Sequence, residues 1–274
     1  MFSAGRTILV TGSTDGIGKQ TAHTLAGQGA RVLVHGRNQE KVDQTIAEII
    51  QQQPGADLKG YVADFSALDE VRELAHQINL EEKSLHVLIN NAGIYSPDFK
   101  QSQDGYELTF AVNQLAPFLL TLLLLDKLKA NQPARVITLT SIAHNARDLN
   151  LDNINDPAAY RGWGVYKISK YASILFTYAL AQKLEGSEVT ANCLHPGTVN
   201  TKVLHSAFPD MQGISLEDGA RTSIYLASSD NVAKMNGQYF EDGKPAQSTP
   251  QTYDKALQQA MWEKCEELVS YKMK

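Results

Sequence analysis

Short apolar runs of strand length alternate along the chain with longer segments in which apolar positions recur at helical spacing. The predicted strands are residues 7–10, 31–34, 58–62, 87–90, 135–139, 189–194 and 238–240. The predicted helices are residues 18–28, 39–52, 68–79, 108–129, 166–184, 216–228 and 254–269. Continuous Val, Ile and Leu runs indicate strands buried on both faces, as in a parallel sheet. Repeated strand–helix–strand units therefore predict a doubly wound α/β fold of the Rossmann type.

The pattern predicts a single domain, residues 1–274. No stretch rich in Pro, Gly or Ser is long enough to separate two domains, and no internal repeat interrupts the alternation. A long loop-like segment follows the sixth strand at residues 196–212, and residues 245–274 form a C-terminal extension.

Composition narrows the classes of protein that fit. Hydrophobic residues make up 43% and charged residues 20% of the chain, which is typical of a soluble globular protein. The net charge of −5 and the lack of a basic run argue against nucleic-acid binding. The longest apolar run, residues 118–125, is far shorter than the ~20 residues of a membrane span. The first strand begins too close to Met1 to leave room for a signal peptide.

Cysteine and histidine usage bears on compartment and metal binding. The chain has only two cysteines, Cys193 and Cys265, which lie far apart in sequence. Free thiols in a reducing cytoplasm are the simplest interpretation. The seven histidines show no metal-ligand spacing, so we expect no metal site.

Polar residues and glycines stand where the predicted strands end. They are Gly12, Asp64, Asn90, Ser141 and His195. Because ligands of doubly wound sheets bind beyond the carboxyl ends of the strands, this pattern predicts a ligand site along that edge.

Three glycines, Gly12, Gly16 and Gly18, follow the first strand and open a helix. A dinucleotide needs a tight turn there, close backbone approach to its pyrophosphate and free N–H groups at a helix N-terminus. The spacing is Gly-x-x-x-Gly-x-Gly rather than Gly-x-Gly-x-x-Gly, and a plain glycine-rich turn is the alternative.

The end of the second strand bears on which nucleotide binds. An acid there binds the ribose 2′-OH of NAD, whereas an arginine accommodates the 2′-phosphate of NADP. The chain has His35-Gly36-Arg37-Asn38, which favours NADP(H) over NAD(H). Asp15 in the glycine loop opposes a phosphate, and an ordinary surface charge is the alternative role for Arg37.

Two further strand ends fit a nucleotide site. Asp64 would point at an adenine amino group, although it could instead cap the next helix, a role for which Ser66 is better placed. The residues Asn90-Asn91-Ala92-Gly93 allow close backbone approach to a ribose, or form a bare turn.

Tyr166 and Lys170 stand four residues apart, 25 residues after Ser141. On a helix this spacing places both side chains on one face. A lysine ammonium favours the phenolate of the tyrosine, so we expect the Tyr166 pKa to be lowered from near ~10.

Taken together, these motifs resemble the short-chain dehydrogenase/reductases. The residues that carry the resemblance, in order, are Thr11-Gly12-x-x-x-Gly16-Ile17-Gly18, Asn90-Asn91-Ala92-Gly93, Ser141, Tyr166-x-x-x-Lys170 and Pro196-Gly197. Residues 166–170, 243–246, 262–263 and 266–269 resemble the retinol dehydrogenase-like branch of the family.

The resemblance implies catalytic roles for four residues. Tyr166 would be the general acid in carbonyl reduction and the base in alcohol oxidation, and Lys170 would hold the nicotinamide ribose. Ser141 would donate a hydrogen bond to the substrate oxygen, with Thr140 as the adjacent rival. Asn113 would support a proton-relay water, or would only satisfy a helix kink near Pro117.

The resemblance also implies the cofactor-binding set and the cover of the substrate. The cofactor-binding residues are Gly12, Ser13, Thr14, Asp15, Gly16, Ile17, Gly18, Arg37, Asp64, Phe65, Asn91, Ala92, Gly93, Tyr166, Lys170, Pro196, Gly197 and Val199. Residues 196–215 would cover the substrate, and their apolar content indicates an apolar carbonyl or alcohol. Core packing explains the same apolar residues equally well.

The leading hypothesis is an oxidoreductase that transfers hydride between NADP(H) and an apolar aldehyde, ketone or alcohol. The alternatives are a catalytically idle dinucleotide-binding regulator or redox sensor, and an epimerase or dehydratase acting on nucleotide sugars.

Residues 118–125 are apolar on nearly all sides of their predicted helix, which predicts that a second face of this helix is covered. A homodimer partner is the preferred cover, and residues 245–269 folding back within the monomer are the other.

Overall fold

The computed structural model describes residues 3–145 and 154–273. Its strands are β1 (Thr7–Val10), β2 (Arg31–Gly36), β3 (Leu58–Val62), β4 (Val87–Asn90), β5 (Ala134–Leu139), β6 (Val189–His195), β7 (Tyr239–Glu241) and β8 (Lys244–Ala246). These described strands form one sheet in the order β3-β2-β1-β4-β5-β6-β7-β8, parallel except for the pair β7 and β8. The strand order reverses between β1 and β4, where nucleotides bind in folds of this class.

Helices cover both faces of the sheet. They are α1 (Gly16–Gly27), α2 (Gln39–Gln52), α3 (Leu68–Glu81), α4 (Leu108–Phe110), α5 (Ala116–Ala130), α6 (Gly162–Lys183), α7 (Lys202–Ala207), α8 (Leu216–Ser228) and α9 (Lys255–Leu268). The prediction of one doubly wound α/β domain is confirmed.

Successive residues of a strand pack into two different apolar layers, one on each face of the sheet. On β1, Leu9 packs with α3, α5 and α6, whereas Ile8 and Val10 pack with α1, α2 and α8. The continuous apolar runs follow from this arrangement, because a strand with helices on both sides has no solvent-facing position.

Each predicted strand is found, with ends that differ by at most two residues, and β8 is an addition. The turn into β8 holds Asp242 at φ +49° and Gly243 at φ +71°. An Asp-Gly pair with both residues in the left-handed region is the preferred two-residue hairpin turn. That dipeptide was the sequence signal for β8.

The helix predicted at residues 108–129 is not continuous. A π-helical turn, Ala111–Leu115, separates α4 from α5 and contains Asn113. The predicted cap of α3 was also wrong, because Ser66 makes no cap bond and Asp104 accepts from Leu68 N–H at 2.9 Å. Asp104 lies 36 residues away, so local sequence gives no sign of it.

The C-terminal extension covers the apolar face of α5 and α6. Trp262 on α9 lies edge-on to Phe118 with ring centroids 5.0 Å apart, and stacks on Phe176 at 6.0 Å. The segment Leu108–Ala130, with mean hydropathy 1.9, is long and apolar enough to cross a membrane, yet 89% of its most apolar window is buried in the fold. The fold-back within the monomer, which the sequence left as the second option, is the observed arrangement.

Candidate active site

The glycines after β1 are required by packing within the loop itself. A Cβ on Gly12, whose φ is +64°, would lie 2.9 Å from Ala92 Cα. A Cβ on Gly18 would lie 2.3 Å from Asn91 Nδ2 and 2.4 Å from the Gly12 carbonyl oxygen. Any side chain at either position would therefore push the loop away from the end of β4.

Gly16 differs, because a Cβ there would meet only the Thr201 methyl, at 3.7 Å. Its φ of +54° is left-handed, and its N–H donates to the Asp15 side chain, which caps α1. The next residue, Ile17, packs on the apolar layer under α1. The start of α1 thus presents a glycine surface and first-turn N–H groups, which suit a pyrophosphate.

His35 holds this loop to the neighbouring strands. Its Nδ1 accepts from Gly12 N–H at 3.1 Å, and its Nε2 donates to the Ala63 carbonyl at 3.1 Å. Ser13 pairs with the His35 backbone in both directions, at 2.8 and 2.9 Å. The Ser13 hydroxyl is therefore hydrogen-bonded to the backbone of β2, and this bond holds the glycine loop on that strand.

Burial keeps the His35 ring neutral by lowering its pKa to about 4. The ring also stacks on Phe65, with centroids 4.5 Å apart. Phe65, predicted to bind the cofactor, therefore places its side chain in this buried stack, and any direct contact falls to its backbone.

Asp15 is neutralised by a residue that the sequence did not single out. Burial raises its pKa, but the hydrogen bond from Lys202, the Gly16 N–H and the charge of Lys41 outweigh that effect, so the net shift is downward. Lys202 and Asp15 form an ion pair between α7 and the glycine loop. The negative charge of Asp15, which was expected to oppose a bound phosphate, is thus compensated by the ammonium groups of Lys202 and Lys41.

Arg37 lies exposed beside the glycine loop. Its neighbour Gly36 packs so closely on Thr14 that a Cβ would lie 2.5 Å from the threonine methyl. Asn38 caps α2 by accepting from Lys41 N–H at 2.9 Å. Among the described residues, no acid pairs with Arg37 and none stands at the end of β2. This corner therefore carries positive charge from Arg37 and Lys41.

Asp64 at the end of β3 is only partly free. One carboxylate oxygen accepts from Ser66 N–H at 2.9 Å, and its own N–H donates to Glu70 at 2.6 Å. The remaining oxygen is the part of Asp64 available to an adenine.

The loop after β4 is locked to the glycine loop. Thr11 Oγ1 accepts from the N–H groups of Asn91 and Ala92, each at 3.0 Å. The Asn91 amide donates to the Thr11 carbonyl at 2.7 Å. Gly93 then passes beside Lys170, and a Cβ there would lie 3.4 Å from the lysine Nζ.

Tyr166 and Lys170 lie on one face of α6, as predicted. The Lys170 Nζ is 5.7 Å from the centroid of the tyrosine ring and donates to the Leu139 carbonyl at 3.2 Å. Burial lowers the Lys170 pKa to about 8. Burial also raises the Tyr166 pKa to about 12, against a smaller opposing effect of a hydrogen bond with Ser141.

The Tyr166 shift is opposite to the one expected from the sequence. The expectation considered the lysine charge alone, whereas the phenol is almost fully enclosed and the lysine is directed at Leu139. Tyr166 is therefore a protonated phenol at neutral pH.

Ser141, rather than Thr140, faces the phenol. The Thr140 hydroxyl donates to the Leu194 carbonyl at 3.1 Å, which ties it to β6. The Ser141 hydroxyl accepts from Ala143 N–H at 3.1 Å and lies close enough to the Tyr166 phenol to lower its pKa slightly. The choice between the two adjacent hydroxyls thus follows from their backbone contacts.

Asn113 joins three elements from inside the π turn. Its Oδ1 accepts from Ile94 N–H at 2.8 Å, and its Nδ2 donates to the Ile94 carbonyl at 2.9 Å and to Ser169 at 3.1 Å. It therefore connects the loop after β4 to α6, one residue before Lys170. Asn113 thus lies in the π turn, but its side chain bonds neighbouring elements rather than the helix backbone, and its role with a proton-relay water stays a prediction.

An aromatic wall stands beside Tyr166. Trp163 stacks on the Tyr166 ring, Tyr95 meets both rings edge-on, and Phe208 lies edge-on to Trp163 with centroids 4.9 Å apart. Trp163 and Tyr95 were not singled out from the sequence, whereas Phe208 lies in the segment 196–215 that was expected to cover the substrate. Trp163 and Tyr166 are three residues apart on α6, so helical spacing was the missed signal.

The segment 196–215 arches over this edge of the sheet. Gly197, at φ +88°, lets the chain turn after Pro196, and Val199 is buried against Gly219. The loop expected here contains the short helix α7, which has no buried residue. Its attachment to the protein therefore rests on the Lys202 ion pair and on Phe208.

These residues fit a dinucleotide. The positive corner at Arg37 follows β2, the glycine surface at Gly16 follows β1, and Gly93 beside Lys170 follows β4. Along the carboxyl edge of the sheet this is the order in which a dinucleotide places its adenine-side ribose, its pyrophosphate and its nicotinamide. Comparisons with known proteins agree.

A family model described as short chain dehydrogenase matches residues 6–212. Human retinol dehydrogenase 14 is 36% identical, with 97% of this chain and 86% of that protein covered. Human polyprenol dehydrogenase is 37% identical, with 95% and 84% covered.

Two solved structures extend the likeness to the fold. An uncharacterized protein from Mycobacterium Paratuberculosis gives a TM-score of 0.82 at 29% identity, with 99% of this chain and 96% of that one covered. A short chain dehydrogenase from Escherichia coli CFT073 complexed with NADPH gives 0.74 at 25% identity, with 89% and 98% covered. With this site on this fold, the chain belongs to the short-chain dehydrogenase family and is an NAD(P)-dependent oxidoreductase.

Proposed function

We propose that the protein transfers hydride between NADP(H) and an apolar aldehyde, ketone or alcohol. The observation that carries the choice of NADP is the end of β2, where Arg37 and Lys41 supply positive charge and no described residue supplies an acid. A similar solved structure is complexed with NADPH, which supports the same choice.

The acid–base chemistry follows from the Tyr166 environment. A bound nicotinamide supplies hydride chemistry, and the protein must supply the proton. The buried, protonated Tyr166 phenol can donate to a substrate oxygen, and the Ser141 hydroxyl beside it gives a second hydrogen bond to the developing alkoxide. Lys170, held on Leu139, places a cation near the same point.

The aromatic wall supports an apolar substrate. Trp163, Tyr95 and Phe208 offer ring surfaces beside the proton donor, and Ile142 and Met211 are large apolar side chains left exposed near the ends of β5 and α7. Sites for apolar ligands combine such surfaces with few polar groups. The relatives named for retinol and polyprenol act on apolar alcohols by name, in keeping with this proposal.

A turnover screen tests the proposal. The purified protein would be mixed with NADPH or NADH and a panel of short aliphatic, long aliphatic, aromatic and polyene aldehydes, with oxidation of the nucleotide followed by absorbance. Faster turnover with NADPH and a preference for the longer apolar aldehydes are expected. Nucleotide binding without turnover of any carbonyl or alcohol would favour the idle regulator instead.

We also propose a reducing, cytoplasmic compartment. Cys193 and Cys265 are both buried and free, and burial raises the pKa of the Cys265 thiol to about 12. Blocking the thiols of protein released gently from its native cells, and counting the labels by mass after unfolding, would test whether both remain reduced.

A further inference from the structure

The loop that carries Ser141 is tied to the C-terminal extension by His144. The His144 Nδ1 lies 2.6 Å from the Ser141 carbonyl oxygen, and its Nε2 lies 3.0 Å from the backbone nitrogen of Thr249. A backbone amide can only donate and a carbonyl can only accept. The ring is therefore neutral, with its proton on Nδ1, and it joins the Ser141 loop to Thr249, which lies 105 positions beyond His144.

The same part of the extension is tied to the helix that carries Tyr166. The hydroxyls of Ser248 and Tyr178 are 2.8 Å apart, and Tyr178 lies about two turns beyond Lys170 on α6. The Tyr253 hydroxyl accepts from Ser248 N–H at 3.1 Å, and its ring stacks on Tyr178 with centroids 5.4 Å apart. Residues 248–253 thus contact both segments that carry the proton donor and its neighbouring hydroxyl.

We propose that residues 248–253, acting through His144, are a positioning element that holds Ser141 against Tyr166. The inference rests on the proposed function and adds to it a part of the chain outside the edge of the parallel sheet. His144 is a positioning residue, because its contacts are with Ser141 and Thr249 rather than with the reacting groups.

Ser141 depends on this bridge because it lies in a loop between two anchors. On one side, Thr140 N–H donates to the Leu194 carbonyl at 2.7 Å, which fixes the loop to β6. On the other side, His144 is the anchor among the residues that the structure describes, through its ring and through its carbonyl, which accepts from the Thr249 hydroxyl at 3.4 Å. Burial lowers the His144 pKa, which favours the neutral ring that the bridge requires. Misplacement of a reacting neighbour by about 1 Å costs on the order of 10²-fold in rate.

At each end of the His144–Thr249 contact, a substitution that breaks the hydrogen bond is compared with one that keeps it. In His144→Asn, the amide nitrogen can replace Nδ1 at Ser141, but no side-chain atom reaches the Thr249 N–H, and only the 3.4 Å bond from the Thr249 hydroxyl to the backbone carbonyl of residue 144 remains. In His144→Gln, the longer side chain can place its amide oxygen where Nε2 accepts from Thr249. At the other end, Thr249→Pro deletes the donor N–H at a φ of −54° that proline adopts, whereas Thr249→Val keeps it. Both variants lose the 3.4 Å hydrogen bond from the Thr249 hydroxyl to the His144 carbonyl, so they differ in the N–H alone.

The readouts are kcat, KM for NADPH, and amide hydrogen exchange of the peptide spanning residues 139–145. We expect kcat to fall roughly 10- to 100-fold in His144→Asn and Thr249→Pro, with KM for NADPH within about twofold. Exchange in the peptide should quicken in the same two variants. His144→Gln should restore most of the rate and the protection, and Thr249→Val should resemble the wild type.

Wild-type kcat and wild-type exchange in His144→Asn would overturn the positioning role. If Thr249→Pro does not fold, the His144 pair carries the test alone. The exchange measurement does not depend on turnover, so an inactive wild type would count against the proposed function, while quicker exchange in His144→Asn would still support the bridge.

Discussion

The ring of Trp163 lies parallel to the phenol of Tyr166, with centroids 5.2 Å apart and planes inclined by 13°. One turn of α6 therefore supplies both the proton donor and a flat apolar surface beside it. Phe208 meets Trp163 edge-on, so the segment 196–215 contacts this surface.

Replacing Trp163 should change substrate preference more than chemistry. Trp163→Ala is expected to lower kcat/KM for long apolar aldehydes about 2- to 10-fold, because aromatic contacts contribute ~0.5–1.5 kcal/mol beyond buried area. Trp163→Phe keeps a ring and serves as the control. Steady-state kinetics with a short and a long aldehyde make the comparison, and equal losses for both would contradict a wall for the substrate.

Tyr166→Phe should nearly abolish turnover and leave nucleotide binding unchanged. General acid catalysis contributes ~10²–10⁴-fold, and the phenylalanine ring retains the stack with Trp163. Single-turnover rates and nucleotide titrations of the two proteins provide the measurement. Retention of most of kcat would rule out this proton donor.

The Tyr166 pKa of about 12 also predicts a direction-dependent pH profile. Below that pKa the phenol is protonated, so kcat/KM for carbonyl reduction should be flat between pH 6 and 7, where Lys170, with its pKa of about 8, also keeps its charge. Alcohol oxidation requires the phenolate, whose small fraction grows about tenfold per pH unit, so kcat/KM in that direction should rise with pH. Oxidation that is flat across the same range would contradict a raised pKa.

Arg37→Ala should weaken NADPH and leave NADH almost unchanged. Hydrogen bonds to a charged group contribute roughly 1.5–3 kcal/mol, which corresponds to roughly a tenfold to hundredfold loss of affinity. Lys41→Ala should show a smaller loss in the same direction, since Lys41 also bears on Asp15. Fluorescence titration of both nucleotides decides, and equal losses would assign the 2′-phosphate to another residue.

Acid should destabilise the protein through His35. Its folded pKa of about 4 lies below the ordinary value of 6.5, so the unfolded chain binds the proton first as the pH falls. The neutral buried ring contributes its full stability above pH 6.5 and loses about 3 kcal/mol as the pH falls to 4. Urea unfolding at several pH values should show a shallower acid slope in His35→Asn, although His195 adds to the slope in both proteins.

Light scattering should give a mass near 30.1 kDa at micromolar concentration, because α9 already covers the apolar face of α5 and α6. Trp262→Ala should reduce the free energy of unfolding by ~3–5 kcal/mol through the cavity that it leaves. A mass twice as large would mean that the homodimer favoured from the sequence forms through another surface.

The sequence predicted what is encoded locally. The glycine loop, the Tyr166–Lys170 pair and the strands are short patterns whose spacing fixes their geometry. Groups that meet through the fold were missed: Lys202 reaches Asp15 from 187 residues away, and Thr249 reaches His144 from 105. The predicted direction of the Tyr166 pKa shift was wrong for a related reason, because the burial that raises this pKa depends on the whole fold around the phenol.

The cover that α9 provides has a consequence for how the chain is made. Domains form from the N-terminus during synthesis, and apolar surface exposed in an incomplete chain promotes aggregation. The ribosome delivers α5 and α6 before the helix that shields Phe118 and Phe176. The nascent protein therefore exposes this apolar face until Trp262 has emerged. Chaperones that bind exposed apolar surfaces would bind the nascent chain at that stage of its translation.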